Sequence, residues 1–349
     1  MEIDGSYGEG GGQLLRFALA LSALLGLDIN VSKIRAGRSP PGIRPQHLAA
    51  INAVARLANA EVSGNRVGSS SVSFRPGEIP GGRFEFNVGT AGSVTLVLQA
   101  ILPVALAAES PVVGRIVGGT EVRWSPTVDY FQRVFLEGIR TMGADVSLKL
   151  IRSGYYPRGG GEVEFSVRPR RHLIPIVREK PPEGIPGIHG ISRCAHLSRS
   201  VAERQASSAR SLLERHGLKL GGIEIVESRE SLSPGSSITL WVDSGSQCFI
   251  GGDSIGERGK PAEVVGSEAA RNVVNCVGTG SAVDEHFADM ILPYMLTALG
   301  PSRVVLPKVT EHLGTEAHIA TMFDVAEIRL EDRRTPAELS VIPKDGAII

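Results

Sequence analysis

The sequence predicts an α/β protein in which a large domain of three βαβαββ repeats carries a smaller inserted α/β domain. Three observations lead to this prediction. Short segments alternate between the two-residue period of strands and the 3.6-residue period of helices. The strand and helix order recurs along residues 1–183 and 278–349. Residues 184–277 have their own strand and helix pattern and follow a proline-rich segment, which is typical of an inserted domain.

The composition is that of a globular protein. Of the 349 residues 42% are hydrophobic, and the 37 Lys and Arg residues balance the 37 Asp and Glu residues, so a polyanion site must be a local basic pocket. Cys194, Cys248 and Cys276 lack the CxxC spacing of a zinc site and fit a reducing interior. No signal peptide or membrane span is recognisable, so we expect a cytoplasmic protein without membrane contact.

The first unit is predicted to contain every element of the repeat. A short strand leads through a glycine run into a helix that begins near Gln13 and that Gly26 can end. A strand over 29–34 follows from alternating apolar residues, and a second helix ends near Asn59. The strands that close the unit are predicted over 62–74 and 83–88.

The pattern then recurs, in full or in part, in two further stretches. The second unit is predicted as a helix ending near 106, a strand over 112–117, a helix over 126–142, and strands over 145–150 and 161–167. The third, partial unit is predicted as a helix over 281–299, a strand over 303–308, a loop at 310–312, a helix over 316–323, and strands over 325–330 and 337–342. Chance similarity between βαβ patterns is the alternative.

The loops after the second strands, at 35–38, 118–121 and 310–312, occupy equivalent places in the three units. If the units pack around a shared centre, these loops meet at one site. The inserted domain has a separate pattern. Its strands are predicted over 189–196, 222–228 and 236–242, and its helices over 198–216 and 261–277.

A glycine-rich segment, DGSYGEGGGQLLR at residues 4–16, is a candidate anion site. Glycines let backbone N–H groups turn towards a ligand, and the following helix N-terminus adds partial positive charge. Glu9, Gln13 and Arg16 stand around this loop. A tight strand-to-helix turn with a solvated arginine remains the alternative.

The clearest basic group lies on the next loop, which is also rich in glycine and proline. Arg35, Arg38 and Arg44, with Gln46 nearby, suit bidentate recognition of phosphate, although a solvated charged loop is the alternative. A second glycine stretch, at residues 155–161, is predicted as a hairpin turn because strands flank it on both sides.

His312 and the start of the third apolar helix are further candidates. His312 follows a β-branched strand and neighbours Glu311, so it can be a base, a metal ligand or a nucleophile, or simply a surface or capping residue. Glu285 and Asp289 share one helix face, where they either complement the helix dipole or accept hydrogen bonds from a ribose or base.

The sequence strongly resembles the RNA 3′-terminal phosphate cyclases over essentially its whole length. Besides the segment at 4–16, the motifs are IRAGRSPPGIRPQH at 34–47, GSVTLVLQ at 92–99, GYYPRGGG at 154–161 and EHFAD at 285–289. Several such motifs in order are more specific than any single one. The fold of that family is a large domain of three βαβαββ repeats with a smaller inserted α/β domain, in agreement with the pattern above.

The resemblance implies an ATP-dependent ligase reaction in three steps, with Mg²⁺ or Mn²⁺. A histidine attacks the α-phosphate of ATP and releases pyrophosphate, leaving a covalent His–AMP. The adenylate then passes to the 3′-phosphate of RNA, giving RNA(3′)pp(5′)A. Attack by the neighbouring 2′-OH yields the 2′,3′-cyclic phosphate and AMP. The implied partner is therefore RNA with a 3′-terminal phosphate, and a homodimer is left open.

The same resemblance implies roles for individual residues. His312 is the nucleophile and lies in the segment TEHLGTE at 310–316, where Glu316 replaces the family's Asn. Glu9 is the metal-proximal carboxylate. Met290 replaces a Gln that often closes the adenosine-binding segment. The implied ATP-binding residues are Gln99, Glu285, His286, Phe287, Ala288, Asp289 and Met290. The implied RNA- or phosphate-binding residues are Gln13, Arg16, Arg35, Arg38 and Gln46.

Two other functions stay open at this point. A related branch shares the fold, lacks the nucleophile and acts in ribosome assembly, but His312 argues against that role. Carboxyvinyl transferases use a similar repeated fold without a histidyl nucleotide, and fold alone does not decide function. We also expect the inserted domain to flank the path by which RNA enters.

Overall fold

The computed structural model describes residues 1–182, 184, 187–245, 247–332 and 335–344. The predicted proline-rich linker at 179–186 therefore lies partly outside the described residues. These described residues form four small mixed sheets with helices packed on them, which confirms the α/β class. Among the described residues, no helix is long and apolar enough to cross a membrane.

The first sheet has the strand order β1-β2-β4-β3. β1 and β2 are parallel, and β4 runs antiparallel to both β2 and β3. Gly26 adopts φ +65° and ends the first helix, as its sequence position predicts. In chain order the elements are β1 (Glu2–Asp4), α1 (Gly12–Leu25), β2 (Ile29–Ser32), α2 (Pro45–Leu57), β3 (Glu61–Ser63) and β4 (Val72–Arg75).

The second sheet has the corresponding order β5-β6-β8-β7, with β5 and β6 parallel and β8 antiparallel to β6 and β7. Its second helix contains a π-helical turn at Phe131–Phe135. The elements are β5 (Gly82–Asn87), α3 (Val94–Leu106), β6 (Val112–Gly118), α4 (Val128–Tyr130), the π-helical turn, α5 (Leu136–Thr141), β7 (Asp145–Arg152) and β8 (Gly161–Arg168). The glycine stretch between β7 and β8 is the predicted hairpin connection.

Two predictions about the first unit are wrong. The predicted strand over 62–74 is two antiparallel strands, β3 and β4, joined by a glycine- and serine-containing loop. The predicted strand over 83–88 does not close the first sheet, because β5 pairs in parallel with β6 of the second sheet. Strand periodicity shows that a segment is extended and does not show which sheet it joins.

Another sheet, called the fourth sheet below, is formed by residues that follow β9 (Val177–Arg178) and precede the third apolar helix in the chain. Its order is β11-β10-β12-β13, and α6 and α7 pack against it. The strand β13 was not predicted, because its glycine-containing sequence has little strand character. The elements are β10 (Gly187–Ala195), α6 (Arg199–Arg215), β11 (Lys219–Ser228), β12 (Gly235–Asp243), β13 (Gly251–Ile255) and α7 (Ala262–Gly278).

The remaining sheet has the order β15-β16-β14-β9. β9 and β14 are parallel, while β16 is antiparallel to β14 and β15. This sheet therefore takes its first strand from residues that precede the fourth sheet in the chain. The later elements are α8 (Glu285–Leu296), β14 (Ser302–Leu306), α9 (Glu311–Met322), β15 (Ala326–Glu331) and β16 (Ala337–Pro343).

Two hydrophobic clusters hold these elements together. The larger one joins residues from the first, second and third apolar helices and their sheets, and the smaller one lies within residues 188–276. A buried ion pair connects the two parts, since Arg193 on β10 binds both oxygens of Asp129 on α4, with Nη2 2.8 Å from Oδ1. Gly235 also lies directly against the ring of Tyr155, where a Cβ would come within 2.2 Å of the ring.

Candidate active site

The glycine-rich segment folds as a loop between β1 and α1 and packs tightly against two other helices. Gly8 and Gly10 have φ values of +59° and +57°, which L-residues rarely adopt. A Cβ at Gly8 would lie 2.2 Å from Thr315 Oγ1 on α9, and one at Gly12 would lie 2.2 Å from His47 Nε2 on α2. The glycines therefore let this loop come close to α9, the helix that carries His312.

His312 is the second residue of α9 and does not lie in the predicted loop. The reason is local, because Thr310 is the N-cap residue. Its Oγ1 accepts a hydrogen bond of 2.9 Å from the Leu313 N–H, and the acidic Glu311 follows in the first turn. The imidazole thus leaves a rigid helix start and not a mobile connection.

The imidazole of His312 is half-buried beside a carboxylate. Its Nδ1 lies 3.7 Å from Glu9 Oε2, and the same Glu9 oxygen pairs with Arg38 Nη2 at 3.0 Å. Burial lowers the pKa of His312, Glu9 opposes this effect, and nearby cations including Arg16 reinforce it. A lowered histidine pKa keeps the ring neutral near pH 7, which is the nucleophilic form.

A cavity of about 540 Å³ opens beside His312. It collects side chains from α1, α3, α8 and α9, from the loop after β6, and from the segment around β13. The residues that line it are Gln13, Arg16, Leu96, Gln99, Arg123, Trp124, Ser125, Pro126, Asp253, Ser254, Ile255, Glu257, Lys260, His286, Asp289, Met290 and His312. The structure thus brings seven of the predicted site residues together around one cavity.

Arg16 gives this cavity an uncommitted positive charge. Within the described ranges of the chain, its guanidinium makes no hydrogen bond or ion pair with a protein group. Burial lowers its pKa to about 10, so it stays protonated at neutral pH. A guanidinium without a protein partner is well suited to bidentate binding of a phosphate through two parallel N–H···O hydrogen bonds.

Gln13 and Gln99 are both oriented by neighbours that the sequence pattern did not reveal. The Gln13 amide Nε2 donates a hydrogen bond of 2.7 Å to Oε1 of the buried Glu316, one turn after His312 on α9. The Gln99 amide Nε2 lies 3.0 Å from the Met290 sulfur. Both amides are thereby fixed at the wall of the cavity.

Asp289 lies near the N-terminal end of α8 and links this helix to α9. Its carboxylate accepts a short hydrogen bond from the Thr310 hydroxyl, the N-cap group of α9. The side chain is 8% exposed, and burial raises its pKa to about 7. The start of α9, and with it His312, is therefore anchored to the helix that carries the predicted adenosine segment.

Other predicted site residues do not line the cavity. The side chains of Phe287 and Ala288 are fully buried in the core, where Phe287 stacks on Phe249 at a centroid distance of 5.0 Å. They hold α8 in place and do not offer side-chain contacts to a ligand. Glu285 faces Lys308, at 3.7 Å.

The arginine-rich loop reaches the site through a single residue. Arg38 pairs with Glu9, as described, whereas Arg35 Nη2 contacts the Pro40 carbonyl at 3.4 Å. The Arg35 Nε is buried and has no hydrogen-bond partner in the described part of the chain, and Arg35 has φ +55°. Gln46 lies against Gly92, whose Cβ, if present, would be 3.2 Å away. Arg35 and Gln46 thus lie outside the cavity lining.

The loop after β6 contributes residues that sequence reasoning missed. Arg123, Trp124, Ser125 and Pro126 line the cavity, and Lys260 and its neighbours approach from the segment that follows β13. The sequence did contain a signal for this loop, because 118–121 occupies the same place in its unit as the loops at 35–38 and 310–312. The predicted stretch ended at 121, however, before the residues that line the cavity. Glu121 itself is buried elsewhere, with both carboxylate oxygens lacking partners among the described residues.

Glu9 is the only predicted metal-proximal residue. Among the residues that the structure describes, no group of three or more His, Cys, Asp or Glu side chains is arranged to hold a metal ion. Mg²⁺ is commonly bound by one or two carboxylates together with substrate phosphates. Glu9 fits that arrangement because its carboxylate lies 3.7 Å from the imidazole of His312, although Glu9 is not itself among the described residues that line the cavity.

Comparison with known proteins now adds to this geometry. A family model described as RNA 3′-terminal phosphate cyclase matches residues 7–330. A Methanopyrus kandleri protein named RNA 3′-terminal phosphate cyclase is 43% identical over 349 residues, covering 99% of both chains. A Pyrococcus furiosus protein of the same name is 45% identical over 325 residues, covering 92% of both chains.

A third relative of that name, from Pyrobaculum aerophilum, is 43% identical over 323 residues, covering 93% of this chain and 92% of its own. A solved structure, the enolpyruvyl transferase NikO from Streptomyces tendae, aligns with 11% identity and a TM-score of 0.26, covering 99% of this chain and 66% of its own. A TM-score this low does not establish a common fold. By the near-full-length identity to three like-named relatives and the family match, the chain belongs to the RNA 3′-terminal phosphate cyclase family of enzymes.

Proposed function

We propose that the chain converts an RNA 3′-terminal phosphate to a 2′,3′-cyclic phosphodiester with ATP as co-substrate, and that His312 is the nucleophile. The observation that carries this proposal is the imidazole of His312 at the wall of a cavity that also holds the unpaired Arg16 guanidinium. The lowered pKa of His312 supports the role, since attack on phosphorus requires the neutral ring.

The proposed reaction has three balanced steps. A His312 ring nitrogen bonds to the α-phosphorus of ATP as the bond to pyrophosphate breaks, and the ring proton is lost. An oxygen of the RNA 3′-phosphate then takes the AMP group from His312, forming RNA(3′)pp(5′)A. The vicinal 2′-OH attacks the 3′-phosphorus and loses its proton, and AMP leaves. The last step requires a 2′-OH, which restricts the substrate to RNA ends.

Different residues around the cavity are proposed to bind the nucleotide, the phosphate and the cation. Gln99, His286, Asp289 and Met290 would receive the nucleotide, with Asp289 accepting a hydrogen bond from a ribose hydroxyl. Arg16 would bind phosphate, helped by Gln13 from the same face of α1. A divalent cation, held by Glu9 together with the phosphates, would supply charge neutralisation.

Arg38 is proposed to restrain Glu9 between the cation site and His312, given the 3.0 Å ion pair. Arg35, Gln46 and Glu285 would act from outside the cavity, by placing the basic loop and the first turn of α8. Phe287 and Ala288 would support the adenosine segment from the core.

We also propose that the three equivalent sheets are copies of one βαβαββ unit. Each has two parallel strands, with the final strand of the unit antiparallel to its neighbours. In this view β9 completes the third copy, and the fourth sheet is an insertion between that strand and α8. Large-domain limits of 1–183 and 278–349, with an inserted domain over 184–277, agree with the two separate hydrophobic clusters.

Labelling with α-³²P-ATP tests the proposed nucleophile. The protein is incubated with label and Mg²⁺ or Mn²⁺, denatured, and treated with acid or alkali. We expect acid-labile, alkali-stable label in the wild type and none in His312→Ala. His216→Ala is the matched control, because His216 is exposed at the end of α6, outside the cavity.

Label retained by His312→Ala would overturn the nucleophile assignment. No label in well-folded wild type, with any nucleotide or metal, would instead favour a non-catalytic RNA-binding role. Turnover of phosphoenolpyruvate in place of labelling would favour a carboxyvinyl transferase.

A further inference from the structure

Trp124 is the most exposed large apolar side chain at the mouth of the cavity. Its side chain is 90% exposed, although tryptophan is usually at least partly covered. Its backbone has φ +59°, a conformation that a bulky L-residue adopts only under constraint. Strain of this kind at the edge of a site points to a functional use of the side chain.

The surrounding residues fix the loop that carries the indole but leave the indole uncovered. The Arg123 guanidinium lies 5.8 Å from the Trp124 ring centroid and is ion-paired with Glu257, which follows β13. Lys260, also on the cavity lining, is ion-paired with Glu268 on α7. The exposed ring thus lies beside the Arg123 guanidinium, whose position Glu257 fixes, and its face is left open to a planar ligand.

The cavity has an inner part and a rim of different character. Leu96, Asp289 and Met290 are each less than 10% exposed and form the inner wall near His312. Trp124 and Arg123 are exposed at the rim. A cavity of about 540 Å³ is too small to enclose an RNA chain, so an RNA whose 3′ end reaches His312 must extend out of it past exposed lining residues.

We propose that the indole of Trp124 stacks on the 3′-terminal nucleobase of the RNA substrate and so guides the terminal phosphate towards His312. This inference rests on the proposed function, because it requires an RNA end at the cavity. Every nucleobase has a π-face, so this contact adds affinity for an RNA end without selecting a sequence. It makes Trp124 a substrate-binding residue and leaves the reaction of His312 with ATP untouched.

Fluorescence tests the contact independently of catalysis. The chain has two tryptophans, and Trp241→Phe leaves Trp124 as the single indole emitter. This variant is titrated with a short RNA that carries a 3′-phosphate, with the same RNA lacking its terminal base, and with ATP alone. We expect quenching by the complete RNA, much weaker quenching by the abasic RNA, and none by ATP.

Kinetics then measure the contribution of the ring. We expect Trp124→Ala to raise the KM for the complete RNA about tenfold to hundredfold, from the known strength of base–aromatic stacking. Trp124→Phe retains a ring and should recover most of that loss. With the abasic RNA, the two variants and the wild type should have equal KM values, because the stacked partner is already gone.

Histidine labelling separates this inference from the proposed function. Labelling of the wild type by α-³²P-ATP reports the reaction of His312 with ATP and needs no RNA end. Quenching by ATP and not by RNA would overturn the inference and assign the indole to the adenine, and absence of quenching by any ligand would also overturn it. RNA-dependent quenching in a protein that takes no label would refute the proposed function and leave the stacking contact standing.

Discussion

Asp289 is predicted to make the stability of the protein depend on pH across the neutral range. Its carboxyl is buried at the start of α8, and burial raises its pKa from 3.8 to about 7. We predict that Asp289→Asn, which keeps the side-chain shape and an acceptor oxygen for the Thr310 hydroxyl, stabilises the protein at high pH and has little effect at low pH.

The sign and size follow from linkage. Below pH 3.8 the carboxyl is protonated in both the folded and the unfolded chain, so it contributes no pH dependence. Above that value the unfolded chain releases a proton that the folded chain retains, so folding becomes less favourable until the folded pKa near 7 is passed. At 1.36 kcal/mol per pH unit the full difference is about 4 kcal/mol, of which about 2.5 kcal/mol develops between pH 5 and pH 8.

Neighbouring groups also act on the pKa of Asp289. Glu285 on α8 and the N-cap residue Asp284 raise its pKa, and His286 lowers it. Glu316 on α9 interacts with it from the facing helix. The wild-type stability curve therefore contains several contributions. The difference between Asp289→Asn and the wild type at each pH isolates the effect of removing this carboxyl.

Urea unfolding followed by circular dichroism at pH 5, 6, 7 and 8 measures that difference. We expect the gain in unfolding free energy of Asp289→Asn over the wild type to grow by about 2.5 kcal/mol from pH 5 to pH 8. Asp145→Asn is the control at an exposed aspartate, and its difference should stay within about 0.5 kcal/mol throughout. A difference for Asp289→Asn that does not change with pH would refute the reasoning and show that water reaches this carboxylate.

Two other predictions concern packing around the site. Asp129→Asn should cost about 3–5 kcal/mol in urea unfolding, since it leaves the Arg193 charge without its buried partner, and a loss below 1 kcal/mol would mean that the pair is solvated. Gly12→Ala should lower both the melting temperature and the extent of α-³²P labelling, because the new Cβ would collide with the His47 ring. Gly11→Ala is the control and should match the wild type, because no atom lies within 4 Å of the Cβ that it adds.

The order of strands and helices was largely predictable from the sequence, because burial on one face imposes a visible period. The strand over 83–88 shows where this stops. Its alternation predicted a strand, and a strand formed, but as β5 of the second sheet. Sheet membership depends on pairing with a strand 30 residues further along the chain, and periodicity carries no information about that partner.

The loop predicted at His312 failed for a different reason. Thr310 is a β-branched residue after a strand, and was assigned to a connection. In the fold its hydroxyl both caps α9 and donates to Asp289, so the helix begins at Glu311 and His312 is its second residue. Thr310 followed by the acidic Glu311 is a local signal for a helix start, and the contact with Asp289 on α8 adds a tertiary partner that the sequence around Thr310 does not indicate.

Glu316 illustrates how position decides the meaning of a departure from a family pattern. It replaces an Asn in the motif that contains His312, and the sequence alone gives no basis for separating a ligand contact from a supporting role. Glu316 is buried, is not among the described residues that line the cavity, and accepts the Gln13 hydrogen bond at 2.7 Å. Its second carboxylate oxygen has no partner among the described residues, and burial raises its pKa well above the ordinary range.

A neutral Glu316 performs the part of an amide, because its carbonyl oxygen still accepts from Gln13 without adding a charge. A neutral Glu316 also leaves the charge of the nearby Arg16, which lines the cavity, available to a ligand. The replacement of Asn by Glu is thus compatible with the same chemistry, provided that burial keeps the carboxyl protonated. The Glu316 side chain, one turn after His312, thus serves as an acceptor that fixes the Gln13 amide at the cavity wall without placing a charge there.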